Sequence, residues 1–291
     1  MLASANVSAG AWTPEAGGGT VSLAYQYSHV QNHLSAKGKQ IDAGSINSNS
    51  ALLQVSYGVT DHLAVTASIP YIEKKYNGKG PHTISDGHGG VRVSPEDNGD
   101  YHGGFQDFAL GVQYQMNWGR WAISPFSAYS SPTHDYEHFA HAAVGSKQRK
   151  FTFGVDTATI LPAPLDPFYL QVGADYSWYQ KFEGVSVGRG TLTIEIGCVV
   201  TDRLQMRVFS IGQKTFGGLE FPEDFVPVAT HRGLFYHHDQ VQRVDYVDGG
   251  LGASFALTGD TDVFFQYLKT FWGENGHETE FLLSAGISRS F

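Results

Sequence analysis

Glu280-Phe-Leu-Leu-Ser-Ala-Gly-Ile-Ser-Arg-Ser-Phe291 is the stretch whose reading decides the fold. Drawn as an extended chain, Phe281, Leu283, Ala285 and Ile287 fall on one side, and Leu282, Ser284, Gly286, Ser288 and Ser290 on the other. One face is oily and the other small or polar, which is the pattern of a strand between two different media. The same alternation recurs upstream. Val21, Leu23, Tyr25 and Tyr27 make one oily face, Ala51, Leu53, Val55, Tyr57 and Val59 the next, and Leu63, Val65, Ala67, Ile69 and Tyr71 a third. Continued to the end, the reading gives about twelve such runs.

Their connections alternate in length. Thr60-Asp61-His62, Asn117 to Arg120, Leu161 to Pro167, Thr201-Asp202-Arg203 and Thr258-Gly259-Asp260 are tight, whereas Lys74 to Gly103 and Lys214 to Val241 are long and polar. A soluble sandwich has no reason to alternate in this way, but a membrane barrel with short periplasmic turns and long external loops does. Composition agrees. Charged residues are 16%, aromatics 13% and hydrophobics 41% of 291 residues, well below the roughly 25% charge of an average soluble domain. No run approaches the ~18 apolar residues of a membrane helix. The expected fold is all-β: a transmembrane, antiparallel, up-and-down β-barrel of about twelve strands over residues 18–291. Residues 1–17 read as a signal-peptide remnant, through Ala3-x-Ala5, followed by a periplasmic segment.

The final strand, ending in Phe291, resembles the terminal strand of bacterial outer-membrane barrels. The resemblance implies residence in the outer membrane, contact with its lipid, and recognition of Phe291 by the barrel-insertion machinery. Three further stretches resemble the outer-membrane transporter family associated with the meta-pathway of phenol degradation. They are Ala11-Trp12-Thr13-Pro14-Glu15-Ala16-Gly17, the hairpin Tyr57 to Leu63 running on to Ala67-Ser68-Ile69-Pro70-Tyr71, and Gly104 to Val112. Ser131-Pro132-Thr133-His134 departs from the pattern expected of that family. These motifs shape hairpins, so the resemblance speaks to architecture and implies, through the family's assignment, transport of aromatic or hydrophobic small molecules.

Strict alternation then names the inward side chains. Asp156, Asp175, Glu195 and Arg207 fall near mid-strand on four successive strands, with Asp248 further round and Asp107 and Glu280 nearer the long loops. Rings of charge set pore selectivity, so these residues fit a cation-favouring constriction; paired charges filling a narrow interior would give the same pattern. Leu52, Phe126, Ile160, Phe209, Ile211, Phe264, Leu268 and Leu282 also point inward, and suit either an apolar cargo or simple filling.

Thirteen histidines concentrate in loops and at strand ends. On a helical turn, His134, His138 and His141 would share one face and could hold Zn²⁺ or Cu²⁺; His231, His237, His238 and Asp239 add donors in a later loop. Asp97-Asn98-Gly99-Asp100 reads as a turn, lacking the spacing of a calcium loop. The lone Cys198 sits among Ile194, Ile196 and Val200 and reads as structural. A net charge of −9 without a basic stripe argues against a nucleic-acid partner. No cofactor is called for. A channel or transporter is the reading that follows, with a structural or partner-binding barrel, engaging a metal or another surface protein through its histidine-rich loops, as the alternative. An outer-membrane hydrolase built on Ser131 and His134, or on Asp135, Asp239 and His238, lacks a recognisable nucleophile motif.

Overall fold

The computed structural model describes residues 10–88, 90–220 and 237–291. Ala3, Ala5 and His231 therefore lie outside the described residues, as do residues 221–236 as a whole. The strands are β1 (Gly19–Leu34), β2 (Gln40–Gly58), β3 (Leu63–Asn77), β4 (Thr83–Ser85), β5 (Val91–Val93), β6 (His102–Phe105), β7 (Asp107–Tyr114), β8 (Met116–Trp118) and β9 (Trp121–Pro132). They continue as β10 (Lys150–Ile160), β11 (Phe168–Tyr179), β12 (Val187–Val199), β13 (Leu204–Gly217), β14 (Asp245–Ala256), β15 (Thr261–Glu274) and β16 (His277–Ser290). A short helix, α1 (His238–Val241), precedes β14.

Each wall strand pairs antiparallel with its sequence neighbour, and β16 returns to pair with β1 from Thr20↔Ser290 to His33↔His277, so the sheet has no free edge. β6, β7 and β8 lie end to end between β3 and β9, three pieces of a single position, which makes twelve positions around the circumference. β4 and β5 form a separate hairpin inside the loop 78–101.

The alternation seen in the sequence decides which face looks where. Leu23, Leu251 and Phe265 are exposed at 52%, 58% and 61%, while Ala24, Leu52, Leu268 and Leu282 from the opposite faces are nearly solvent-free. Large apolar side chains left on the outside of a closed barrel are solvated by hydrocarbon. Trp118, Phe168 and Phe291 are exposed at the short-turn end, and Tyr71, Tyr129, Phe151 and Trp178 toward the other, at the two levels where aromatic girdles form. The chain is an outer-membrane β-barrel. With 16 and 19 residues, β1 and β2 are longer than the ~9–11 that cross a bilayer, and their upper ends rise beyond it.

Two local features break the regular pleat. Asn32 has φ 61°, and the register of β1 slips between Gln31 and His33 against both neighbours. In β16, His29 pairs with Phe281 but Val30 with Thr279, which leaves Glu280 as the extra residue of a bulge. Each bulge reverses the parity of the residues beyond it.

Candidate functional site

The lumen is the candidate site, and chain segments cross both of its mouths. At the short-turn end, residues 10–18 run inside the barrel instead of hanging below it. Gln113 of β7 donates to the Gly10 carbonyl, and Ser124 of β9 donates to the Ala11 carbonyl at 2.6 Å. The Thr13 N–H and hydroxyl both donate to Gln115 Oε1, and the Gly17 N–H donates to the Gly58 carbonyl of β2. Ala11 packs, fully buried, against Ala122 and Ala158, and Trp12 meets Tyr169 of β11 edge-on with ring centres 6.0 Å apart. Small residues on the facing wall make room for this strap. A cavity of about 500 Å³ remains beside it, lined by Trp12, Thr13, Gln54, Ser56, Thr66 and Phe291 among others.

In mid-barrel, Asp156 and Asp175 lie on the lumenal faces of β10 and β11, Glu195 on β12, Arg207 on β13 and Asp248 on β14; Asp107 is higher, on β7. Tyr169 donates to Glu195 at 2.7 Å, Arg207 Nε lies 3.6 Å from the same carboxylate, and Arg207 also donates to Gln266 at 3.0 Å. Asp156 is buried beside Gly173, where a Cβ would come within 2.4 Å of its carboxylate; glycine there leaves that carboxyl its space. Glu280 does not belong to this set. The bulge in β16 turns it to the outer surface, where its side chain is 56% exposed and lies 3.4 Å from His29. Ile160 is likewise exposed, at the end of β10 beside the turn.

Of the apolar lumenal residues, Phe126 lies on β9 and Phe209 and Ile211 on β13, and four others share another arc. Leu52 of β2, Ala24 of β1, Leu282 of β16 and Leu268 of β15 are all buried, and Leu268 and Leu282 are direct cross-strand partners. The inner wall from β15 through β2 is uncharged in mid-strand, mixing these apolar side chains with buried serines such as Ser28, Ser48, Ser50 and Ser284, while the arc β10 to β14 carries four carboxylates with Arg207 among them and Lys150 and Arg189 nearer the long loops.

At the long-loop end the connection 133–149 folds inward. Tyr136, Ala140, His141, Ala142, Ala143 and Val144 are buried, with Ala142 against Val30, Ile46 and Tyr76 of the wall. Tyr136 donates to Asp107 and accepts from the Lys147 N–H, and Lys74 Nζ donates to the Ala143 carbonyl at 2.7 Å. Burial and the Asp107 charge push the Tyr136 phenol up, so it stays a donor. Gln240 of α1 lies over this loop and donates to the carbonyls of His138 and Ser146. Asp97, from the loop 78–101, pins it from the side. Its carboxylate accepts the N–H groups of His82 (2.9 Å), His141 (3.1 Å) and Ala142 (2.9 Å), and the His82 ring lies 3.1 Å away. Asn98 and Gly99 complete a turn, with the Asp100 N–H on Asn98 Oδ1 and φ +94° at Gly99. Beneath these loops is a cavity of about 160 Å³, lined by Lys74, Asp107, His141, Lys150, Arg189 and His277 among others.

The segment carrying His134, His138 and His141 is not helical, and the three rings do not converge. His134 Nδ1 engages the Thr133 hydroxyl at 2.9 Å, His138 lies against Phe182, and His141 alone enters the barrel. Its neighbours there are His33 and His277, wall residues that no alternation rule assigns to the interior.

No family model matches the sequence, and no curated protein does either. Solved structures do resemble the fold. An outer membrane channel from Pseudomonas putida F1 superposes with a TM-score of 0.68 at 14% identity, over 98% of this chain and 99% of that one. The β domain of the Bordetella autotransporter BrkA (TM-score 0.54, 10% identity, 94% and 100% covered) and the translocator domain of the autotransporter NalP from Neisseria meningitidis (0.54, 8%, 95% and 90%) share the barrel less closely.

Proposed function

We propose that this barrel is an outer-membrane channel for small molecules with an apolar body, and that the two segments across its mouths act as its gates. The observation that carries the reading is the division of the lumen at mid-barrel into a charged arc, β10 to β14, and an uncharged arc, β15 through β2, that mixes leucines with serines. Charges gathered on one side of the lumen face an uncharged side that carries Leu52, Leu268 and Leu282, a wall suited to a solute with polar and apolar parts. An aromatic cargo, the finer part of the reading, is supported by the resemblance of residues 57–71 and 104–112 to the phenol-pathway transporters and by the apolar lumenal side chains Leu52, Leu268 and Leu282. The similarity to an outer membrane channel from Pseudomonas putida F1 is in keeping with the channel reading.

At mid-barrel Asp156, Asp175, Glu195 and Asp248 face Arg207, with Lys150 and Arg189 higher toward the long loops, so the middle of the charged arc favours cations. Planar-bilayer recordings test this. Whenever the pore conducts, the reversal potential in a salt gradient is expected on the cation side, and Asp156→Asn, Asp175→Asn and Glu195→Gln together should move it toward zero. An unchanged reversal potential removes the selectivity role, and a barrel that never conducts, and gives no solute flux into vesicles, refutes the channel.

A further inference from the structure

Three histidines from three separate segments meet at the long-loop end of the β1–β16 seam. His33 ends β1, His277 begins β16 and His141 comes from the loop 133–149, and each offers a ring nitrogen within 4.8 Å of the other two. His33 and His141 are buried and His277 is half-buried. Neither wall histidine would face inward on an unbroken strand. The inward residues of β1 run through Ser28 and Val30, so Asn32 should follow; the bulge at Asn32, with its φ of 61°, brings His33 inward instead. The bulge at Glu280 does the same for Thr279 and His277. Two irregularities thus aim two imidazoles at one point, and bulges that re-aim side chains gather at functional sites.

We propose that His33, His141 and His277 bind a divalent transition-metal ion of the class that imidazole prefers, Zn²⁺ or a neighbour, and that the ion ties the loop 133–149 to the barrel seam. The spacing suits such an ion. His33 Nε2 and His277 Nε2 are 3.1 Å apart, close to the ~3.3 Å edge of a tetrahedron with metal–nitrogen bonds of about 2.05 Å. At that separation one of the two nitrogens must already present a lone pair. His141 Nε2 lies 3.2 Å from the Gly80 carbonyl, which only accepts, a contact that is a hydrogen bond in the tautomer with its proton on Nε2. A backbone carbonyl on one ring nitrogen is the usual support of a histidine that coordinates through the other. Asp97, by accepting the His141 N–H, fixes the backbone that carries the ring. His82, Asp97 and His141 form a second close group, but the Asp97 carboxylate is already the hub of four hydrogen bonds and serves as a clamp. His141 and His277 both line the cavity beneath the loops, which leaves space for water or a lumenal solute as a fourth ligand. The site stands independently of what crosses the barrel.

The test uses the untagged full chain, folded in detergent and stripped of metal, with Co²⁺ as a visible probe and Zn²⁺ as competitor. One Co²⁺ per barrel is expected, displaced by Zn²⁺. His33→Gln and His277→Gln, each verified as folded by heat-modifiable migration, should weaken binding by more than about tenfold, since even outer partners of a ligand matter that much. His134→Gln and His138→Gln should bind as the parent does. A second measurement needs no variant: Zn²⁺ should slow amide exchange at residues 140–144 of the parent protein. Absence of Co²⁺ binding, binding indifferent to His33 and His277, binding lost with His134 or His138, or exchange unaffected by Zn²⁺ would each overturn the proposal.

Discussion

Replacing Asp97 should release the inner loop while leaving the barrel closed. The carboxylate is 4% exposed and holds three backbone N–H groups and one imidazole from two different loops. Burial alone would push its pKa up, but the His82 ring, the nearby His141 and the N–H groups of Ala142 and His82 outweigh this and hold it down to about 2, against an ordinary 3.8. At about 1.4 kcal/mol per unit, that difference is on the order of 2 kcal/mol of stability for the folded loops at neutral pH. Because the folded value is the lower one, the contribution is complete above the unfolded pKa and fades as pH falls through about 4 toward 2. Asp97→Asn removes the charge and turns an amide N–H toward existing donors, so the loss should be at least as large. In hydrogen-exchange mass spectrometry at pH 7, peptides covering residues 136–148 should exchange roughly 30-fold faster in the variant, the factor that 2 kcal/mol gives. Corrected for intrinsic rates, parent and variant should converge as the pH is lowered. Equal protection at neutral pH, or a gap that widens in acid, would refute the clamp.

Two further substitutions probe the wall and the loop. Leu251→Arg places a charge on the outer face in mid-strand and should cost about 2–4 kcal/mol in denaturant titrations of folding into vesicles, whereas Leu257→Arg beside the short turn should cost about 0–1 kcal/mol; equal costs would mean that depth in hydrocarbon is not what these positions feel. Tyr136→Phe deletes the hydroxyl that joins Asp107 to Lys147 and should destabilise the loop 133–149 by about 1–3 kcal/mol, seen as faster cleavage within it by added protease; an unchanged cleavage rate would remove that hydroxyl from the loop's support.

The barrel was legible in the sequence because a membrane barrel writes its two solvents into alternate residues, and Phe281, Leu283, Ala285 and Ile287 need no tertiary information to be read. The inward positions of Asp107, Asp156, Asp175, Glu195, Arg207 and Asp248 follow from the same parity. Parity fails where one residue is inserted. The bulge in β16 put Glu280 outside and His277 inside, and a bulge has no signature in a run such as His-Glu-Thr-Glu. The loop that folds into the lumen did leave a trace: Phe139-Ala-His-Ala-Ala-Val144 is an apolar run that a solvated loop has no use for. What it packs against could not be known, because Val30, Ile46 and Tyr76 come from strands far away in the chain.

The strap at residues 10–18 has a mechanical consequence. It leaves the foot of β1 and reaches Tyr169 and Gln171 of β11, six places away on a ring of twelve, so it spans a full diameter. A hydrogen-bonded hoop resists stretching around its rim far better than flattening into an ellipse. A single spoke stiffens it along one direction alone, so sideways squeezing by the surrounding lipid should deform this cylinder unequally, yielding most along the axis the spoke does not brace.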